Sequence, residues 1–391
     1  MPKFLYSFFA IRFFSSLGDQ ILLFVVPLLV YKVTQSIAMS GLAFVIEWTP
    51  RVISLPFAGV FSDTFGSRRV YLTADAVRAV LCLVGFILVH HFYSHTFIIV
   101  SILMGICAFF YAQAFIAQEA TIPTLVPQHE LHKAQSAVQT IEQGTMILGP
   151  FLGSFLTLIL PIQDLLIVIS VIFATSFTGM CYLKQFSTNP MHQLHKHHVM
   201  KNMLQGAKVL FGHEKLIWLC IVTIVLNLVW GMALSTGAAF VTGIFQKSPA
   251  SFGFLQGFSG FLSIALLMLS PRFIEKTSMN ILGFLSYFFM ISGGLLVAFS
   301  KSYWLFGLGY ALIMAMDGVF NIYIRTERAK IIPTKDLGKT IGLIVLVNQL
   351  SLPISGLLVT HFANTIGVPH LFLIVSVFAS ICLIIGIKKL R

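Results

Sequence analysis

Long apolar runs, separated by short segments rich in polar residues, glycine or proline, dominate the chain. A helix needs about 20 apolar residues to cross the hydrocarbon core of a bilayer. About twelve runs reach that length, at approximately 5–31, 38–61, 70–92, 96–122, 134–160, 163–184, 214–244, 250–271, 279–299, 302–326, 338–362 and 367–387. The pattern therefore predicts an all-α integral membrane protein with twelve transmembrane helices.

The longest polar stretch lies between the sixth and seventh runs and divides the chain into similar halves. It predicts an N-terminal six-helix bundle at 1–186, a cytoplasmic linker at 187–213 and a C-terminal six-helix bundle at 214–391. A repeat supports the division, because Pro127, Lys133 and Gln143 recur as Pro333, Lys339 and Gln349. Duplicated halves are typical of secondary transporters, which bind their cargo where the repeats meet.

Composition and charge narrow the class of protein. Hydrophobic residues make up 57% of the chain and charged residues 10%, against about 25% charged residues in soluble domains. With no phosphate-binding loop or dinucleotide motif, the sequence predicts a protein that is not an enzyme and has no cofactor. Five isolated cysteines indicate neither disulfides nor a metal site.

The net charge of +12 indicates how the chain is oriented in the membrane. Most of the 25 Lys and Arg residues fall between the runs on the side that carries both termini. Cytoplasmic loops are enriched in Lys and Arg, so both termini are predicted to be cytoplasmic, in a bacterial cytoplasmic (inner) membrane. This distribution argues against nucleic acid as a partner. A histidine-rich segment, His192–His198, leaves metal binding by the linker open.

A few ionisable residues lie inside the predicted spans, where an isolated charge costs at least about 2.5–3.5 kcal/mol. Asp19 is the first candidate for coupling transport to protons or substrate, and Glu142 and Asp317 are further candidates. Glu47 and Arg51, four residues apart, form either a self-compensating pair or a gate. Structural hydrogen bonds between helices are the alternative role for these acids. Asp75 is interpreted as lying near a loop.

Polar and aromatic residues on the same spans are predicted to contact the substrate. Lipid cannot satisfy several amide groups, so a polar stripe on a span faces protein or a water-filled cavity. The predicted substrate-binding residues are Ser15, Gln139, Gln143, Asn227, Trp230, Asn321 and Asn348.

The segment Gly-Val-Phe-Ser-Asp-Thr-Phe-Gly-Ser-Arg-Arg at 59–69 follows the second span. It resembles the G-x-x-x-D-x-x-G-x-R-R signature of the major facilitator superfamily, in the matching position. The resemblance implies the major facilitator fold and a latch between conformational states. The latch residues it implies are Gly59, Asp63, Gly66, Arg68 and Arg69. Thr64 stands where the family often has a basic residue.

Further segments are similar to the branch of this family that holds the enterobactin exporter and macrolide efflux pumps. They are Ser16–Gln20, Pro27–Tyr31, Asp75–Ala79, Leu125–Pro127 and Leu148–Gly153. The Gly-Asp pair at 18–19 is also similar to bacterial relatives of ferroportin, in which an aspartate in the first span helps to bind iron.

The residues and the resemblance together predict a secondary active transporter that works by alternating access. The expected activity is proton-coupled efflux of a small amphipathic organic molecule, either a siderophore or a drug-like compound. The expected partners are this small molecule, protons and the lipid bilayer, and the chain is expected to be a monomer. The alternatives are an iron-linked carrier, which imports a ferric siderophore or moves a divalent metal, and a transport-dead sensor or assembly subunit.

Overall fold

The computed structural model describes residues 3–125, 131–183, 199–333 and 336–390. Within these ranges the chain is helical and contains no strand. The helices are α1 (Lys3–Thr34), α2 (Ile37–Phe65), α3 (Ser67–His91), α4 (Thr96–Leu125), α5 (Leu131–Leu156), α6 (Leu165–Tyr182), α7 (Val199–Gly212), α8 (Glu214–Ala239), α9 (Pro249–Lys276), α10 (Met279–Ala298), α11 (Tyr303–Ile331), α12 (Leu337–Gln349), α13 (Ser351–Phe362) and α14 (Val368–Leu390).

Each predicted span coincides with helical structure. Ten segments of the described residues are long and apolar enough to cross a membrane, and the other two predicted spans correspond to α2 and α5. The eleventh predicted span, 338–362, is divided into α12 and α13 at Leu350. The prediction of an all-α, multi-pass membrane protein is confirmed.

The predicted linker differs from a simple polar connection. Its second part forms helix α7, Val199–Gly212, which ends just before α8 begins. Within this polar stretch, apolar residues recur at helical spacing, which makes α7 an amphipathic helix. The histidine-rich segment His192–His198 lies outside the described residues.

The chain divides into two compact units. Unit 1 consists of Met1–Gln35, Ile46–Leu194 and Ser248–Gly257, and unit 2 of Ser36–Val45, His195–Lys247 and Phe258–Arg391. The predicted bundle boundaries at 186 and 214 stay a prediction.

In unit 1, α1 packs against α5 and α6, and α3 packs against α4 and α6. Much of the contact is made by buried apolar side chains such as Phe8, Ala74 and Phe173. An apolar side chain is as stable against lipid as against another helix. Small residues and polar contacts therefore determine which helix faces meet. Unit 1 places these polar contacts around α1, where the candidate site lies.

In unit 2, glycines allow α10 and α11 to approach closely. A side-chain carbon added at Gly293 would lie 2.7 Å from the carbonyl oxygen of Gly309 and 2.9 Å from Ile313 Cγ1. A side-chain carbon at Gly309 would meet the Gly293 carbonyl at the same distance. Small residues at helix crossings are how membrane helices gain packing contacts.

We expect Gly293→Ala to destabilise the protein by about 1–3 kcal/mol, because the methyl group overpacks against backbone that cannot rotate away. Gly342→Ala is the matched control, since a carbon added there meets no atom within 4 Å and alanine favours a helix over glycine. Thermal unfolding in detergent measures the difference. Equal or higher stability of the Gly293 variant would contradict this description of the α10–α11 contact.

Candidate functional site

A cavity of about 210 Å³ opens within unit 1, between α1, α3, α4 and α5. Both acids and both arginines on its wall come from positions deep in the helices. Its lining residues are Arg12, Ser15, Ser16, Asp19, Gln20, Arg78, Tyr111, Ala114, Phe115, Gln118, Glu142, Gln143 and Met146. The structure thus brings together four of the predicted residues: Asp19, Glu142, Ser15 and Gln143. Such a mixture of aromatic surface and a few converging polar groups is typical of a small-molecule site.

Contacts at every turn hold α1 against α5 and fix the cavity wall. Ser16 Oγ lies 2.7 Å from Thr145 Oγ1. Further along, a side-chain carbon at Gly149 would lie 2.9 Å from the backbone carbon of Gln20. The spacing of about four residues on both helices keeps one face of each in contact. The Leu148–Gly153 segment therefore serves here as a close packing surface between the two helices.

Arg12 and Glu142 form an ion pair at the cavity. Arg12 Nη2 donates to Glu142 Oε1, and the guanidinium lies over the ring of Phe115, with its carbon 5.9 Å from the ring centroid. The Arg12 side chain is 4% exposed and the Glu142 side chain 30% exposed. Glu142 is therefore the member of this pair that water or a solute in the cavity can reach.

Arg78 lies at the centre of a second, more deeply buried network. Its Nη1 donates to both carboxylate oxygens of Asp19, at 2.7 and 2.6 Å. Its Nη2 donates to Asp75 Oδ1 and, at 3.1 Å, to Ser15 Oγ. The guanidinium carbon also lies 4.5 Å from the centroid of the Phe173 ring. Because Arg78 and Asp75 are fully buried and Asp19 is 6% exposed, these groups depend on one another for stabilisation.

The sequence interpretation of Asp75 as a residue near a loop is wrong. Asp75 lies within α3, and its carboxyl group contacts side chains from α1, α3 and α6. Arg78 was not among the predicted site residues either. Its partner Asp19 is 59 positions away in the sequence, so no periodic pattern links them. The spacing of Asp75 and Arg78 within an apolar run was the signal that could have revealed the network.

Glu47 and Arg51 lie close to each other on α2. Arg51 Nη2 lies 3.8 Å from Glu47 Oε1. The Arg51 guanidinium also lies over two aromatic rings, 4.7 Å from the centroid of Trp48 and 4.2 Å from that of Tyr111. Cation–π contacts of this kind stabilise a desolvated guanidinium. Since Tyr111 lines the cavity, the Glu47–Arg51 pair lies directly behind its wall.

The candidates in unit 2 mostly engage neighbouring backbone. Asn321 Nδ2 donates to the carbonyl oxygen of Asp317 at 3.0 Å and to its Oδ2 at 3.1 Å. Asp317 is half-buried. Arg325 is exposed, and buried Arg328 donates to Thr223 Oγ1 at 3.0 Å. This end of α11 thus belongs to a helix contact within unit 2.

Asn227 and Asn348 meet where α12 ends. Asn227 Nδ2 donates to the backbone carbonyl of Asn348 at 3.1 Å, and Cys220 Sγ donates to its Oδ1 at 3.2 Å. The Ser351 hydroxyl donates to the same carbonyl. These bonds hold the end of α12 against α8, where the chain divides into α12 and α13. Trp230 is half-buried on α8.

The residues of the implied latch lie in the last turns of α2, at the turn formed by Gly66 and in the first turn of α3. Gly66 has φ of +83°, a conformation that glycine adopts without strain. Arg68 Nη2 donates to the carbonyl oxygens of Met180 and Cys181, at 3.3 and 3.0 Å, so it caps the last turn of α6. Arg69 is exposed.

Three of the predicted residues cannot be placed in the site, and the described residues contain no metal-binding cluster. The side chain of Asp63, the surroundings of Gly59 and the side chain of Gln139 lie outside the described residues. Within the parts of the chain that the structure does describe, no group of three or more His, Cys, Asp or Glu side chains could hold a metal ion.

A multi-helix membrane fold with a polar cavity among its helices is the architecture of a membrane transporter. The sequence profile of the Major Facilitator Superfamily matches residues 8–326, and the chain belongs to this family. It is a secondary transporter and not an enzyme. No curated protein matches its sequence.

Solved structures share the fold at low sequence identity. The nucleoside transporter NupG is 12% identical, with a TM-score of 0.78 over 100% of both chains. A bacterial homologue of the iron transporter ferroportin, in an inward-facing state, is 16% identical, with a TM-score of 0.81 over 100% of this chain and 99% of the other. A bacterial metal transporter is 13% identical, with a TM-score of 0.70 over 98% of each chain.

Cysteine labelling tests whether the cavity is reached by water. We expect Met146→Cys, in a Cys181→Ser background, to react with a thiol reagent at least about tenfold faster than Thr145→Cys, since only an accessible thiolate reacts. Met146 is 41% exposed and lines the cavity, whereas Thr145 is fully buried. The other four cysteines are buried. Equal labelling at both positions would contradict an open cavity.

Proposed function

We propose that this chain is a proton-coupled secondary transporter that exports a small amphipathic organic molecule from a bacterial cell. The observation that carries the proposal is the cavity of unit 1, where the Arg12–Glu142 and Arg78–Asp19 ion pairs face aromatic and amide side chains. Ionic groups on this wall suit a cargo with polar substituents, and Tyr111, Phe115 and Met146 suit its apolar part. Membership of the family supports transport of a small molecule.

Within this proposal, Glu142 exchanges protons with the cavity. Its side chain is 30% exposed, against 7% for Asp19, and its partner Arg12 is contributed by another helix. Protonation of Glu142 would release Arg12 to bind an anionic group of the cargo or to leave the wall. Intramembrane acids with such partners commonly mark proton relays. Asp19, the first candidate from the sequence, instead holds Arg78 in place.

The direction and membrane are part of the same proposal. Efflux is supported by the similarity of the first five spans to exporters of siderophores and macrolides, and the distribution of Lys and Arg supports cytoplasmic termini in an inner membrane. The iron-linked carrier is the second hypothesis from the sequence, because Asp19 lies in the first span as in ferroportin relatives. Both carboxylate oxygens of Asp19 accept hydrogen bonds from Arg78. Because these oxygens are already engaged, the organic cargo is favoured over a metal ion.

Transport by the purified protein in liposomes tests the proposal. The panel is a catecholate siderophore with and without iron, a macrolide, ethidium and ⁵⁵Fe, each measured with and without an imposed proton gradient. Accumulation of one organic compound that requires the gradient is expected. Accumulation of ⁵⁵Fe alone would favour the iron carrier, and no transport of any compound, with intact folding, would favour the sensor or assembly subunit.

A further inference from the structure

The buried network around Arg78 contains more acid than base. In the described part of the chain, Asp19 and Asp75 each have Arg78 as their partner in an ion pair, and no other cation lies within ion-pair distance of either. Arg78 and Asp75 are fully buried and Asp19 nearly so. If both acids were ionised, the network would hold an unbalanced negative charge. An isolated buried charge is so costly that a carboxyl group takes up a proton instead.

The neighbouring ionic groups do not remove this imbalance. Arg12 forms an ion pair with Glu142, and Arg51 with Glu47. Asp75 contacts Ser15 of α1, Arg78 of α3 and Ser176 of α6, and Tyr71 of α3 contacts Ser176. None of the neutral groups among them can supply a compensating charge. Arg78 carries one positive charge and compensates only one of the two acids, so we expect the other to be neutral.

Hydrogen-bond geometry indicates which acid carries the proton. Both oxygens of Asp19 accept from a single nitrogen of Arg78, at 2.7 and 2.6 Å, as an ionised carboxylate does. Asp75 differs, because its Oδ1 accepts from Ser15 and Arg78, while its Oδ2 lies 2.5 Å from Ser176 Oγ.

Ser176 is the residue that distinguishes the two arrangements. Its Oγ lies within hydrogen-bond distance of two oxygens, Asp75 Oδ2 at 2.5 Å and the Ile11 carbonyl at 3.1 Å, but a serine hydroxyl has one hydrogen to donate. If that hydrogen goes to Ile11, Asp75 Oδ2 must be the donor in the short contact. The Tyr71 hydroxyl, 3.1 Å from Ser176 Oγ, is compatible with this arrangement.

We propose that Asp75 binds a proton at Oδ2 and donates it to Ser176, while Asp19 is the ionised partner of Arg78. The site lies one hydrogen bond behind the cavity, because Ser15 lines the cavity and also bonds Asp75 Oδ1. It is a proton-binding site separate from Glu142. Asp75 binds this proton whether or not a proton gradient drives transport.

Infrared spectroscopy of the full-length protein in liposomes tests the proposal without any cargo. The spectrum of the wild type is expected to contain a C=O band of a protonated carboxyl that Asp75→Asn loses. Ser176→Ala removes the acceptor of the proton and is expected to shift this band. Ser170→Ala is the matched control on α6, since its hydroxyl bonds Ala79 rather than the network, and it is expected to leave the band in place.

Each other result overturns the proposal. If Asp75→Asn loses no carboxyl band, Asp75 does not carry the proton. If the band appears only in buffer without Na⁺, a metal cation balances the charge when Na⁺ is present. If Ser176→Ala does not fold, Ser15→Ala replaces it, because it removes a donor to the carbonyl oxygen Oδ1. A band that Asp75→Asn removes but the serine variants leave unshifted would show that the proton is not donated to Ser176.

Discussion

Replacing Arg78 with methionine is expected to destabilise the protein by about 3–5 kcal/mol, the largest effect of any single substitution considered. Removing one partner of a buried ion pair leaves the other charge without compensation, and Arg78 is the partner of both Asp19 and Asp75. Arg78→Lys retains the charge but cannot reproduce the planar fork, so it should fall between methionine and the wild type. Equilibrium unfolding in detergent measures all three.

A double variant separates the charge from the shape of Arg78. Combining Arg78→Met with Asp19→Asn removes the cation together with the acid that we infer to be ionised, so it should recover most of the lost stability. Such non-additivity is expected for residues in direct contact. A double variant no more stable than Arg78→Met alone would contradict the charge balance described for this network.

The second large effect is expected in transport rather than in stability. Glu142→Gln should reduce proton-driven accumulation of cargo at least about tenfold, equivalent to about 1.4 kcal/mol, because glutamine cannot bind and release a proton. Exchange of cargo across the membrane without a gradient should continue, since an amide can still accept from Arg12. Both activities are measured in the same liposomes, with the compound that the transport panel identifies.

Glu47→Gln is the matched control for Glu142. It removes an acid of the same unit that also pairs with an arginine, but the Glu47 side chain is 4% exposed and does not line the cavity. Gradient-driven accumulation should therefore persist in this variant. Equal loss in both variants would assign the effect to general damage of unit 1, and no loss in Glu142→Gln would remove Glu142 from the coupling step.

The sequence predicted the helices well because each carries its own signal. A run of about 20 apolar residues predicts a span without knowledge of its neighbours, and for this reason the spans and the charges inside them were predictable. Asp19, Glu142, Ser15 and Gln143 were chosen as polar residues in apolar runs, and the cavity contains all four.

What the sequence did not predict is which residues pair across helices. Arg12 pairs with Glu142, 130 positions away, and Arg78 with Asp19, so the partners depend on which helix faces meet. Those faces are determined by the packing of small residues such as Gly149. The sequence around such a residue does not indicate which helix it will contact. The same reason explains why Arg78 was not among the predicted site residues.

Simultaneous measurement of cargo and proton movement tests the central claim most directly. In liposomes that contain Met146→Cys in the Cys181→Ser background, addition of the identified cargo should move protons across the membrane in the opposite direction to the cargo. Attachment of a bulky thiol reagent at position 146 should then abolish both movements, since this residue lines the cavity. Cargo and proton movements that continue unchanged after complete labelling would contradict a transport site in the cavity of unit 1.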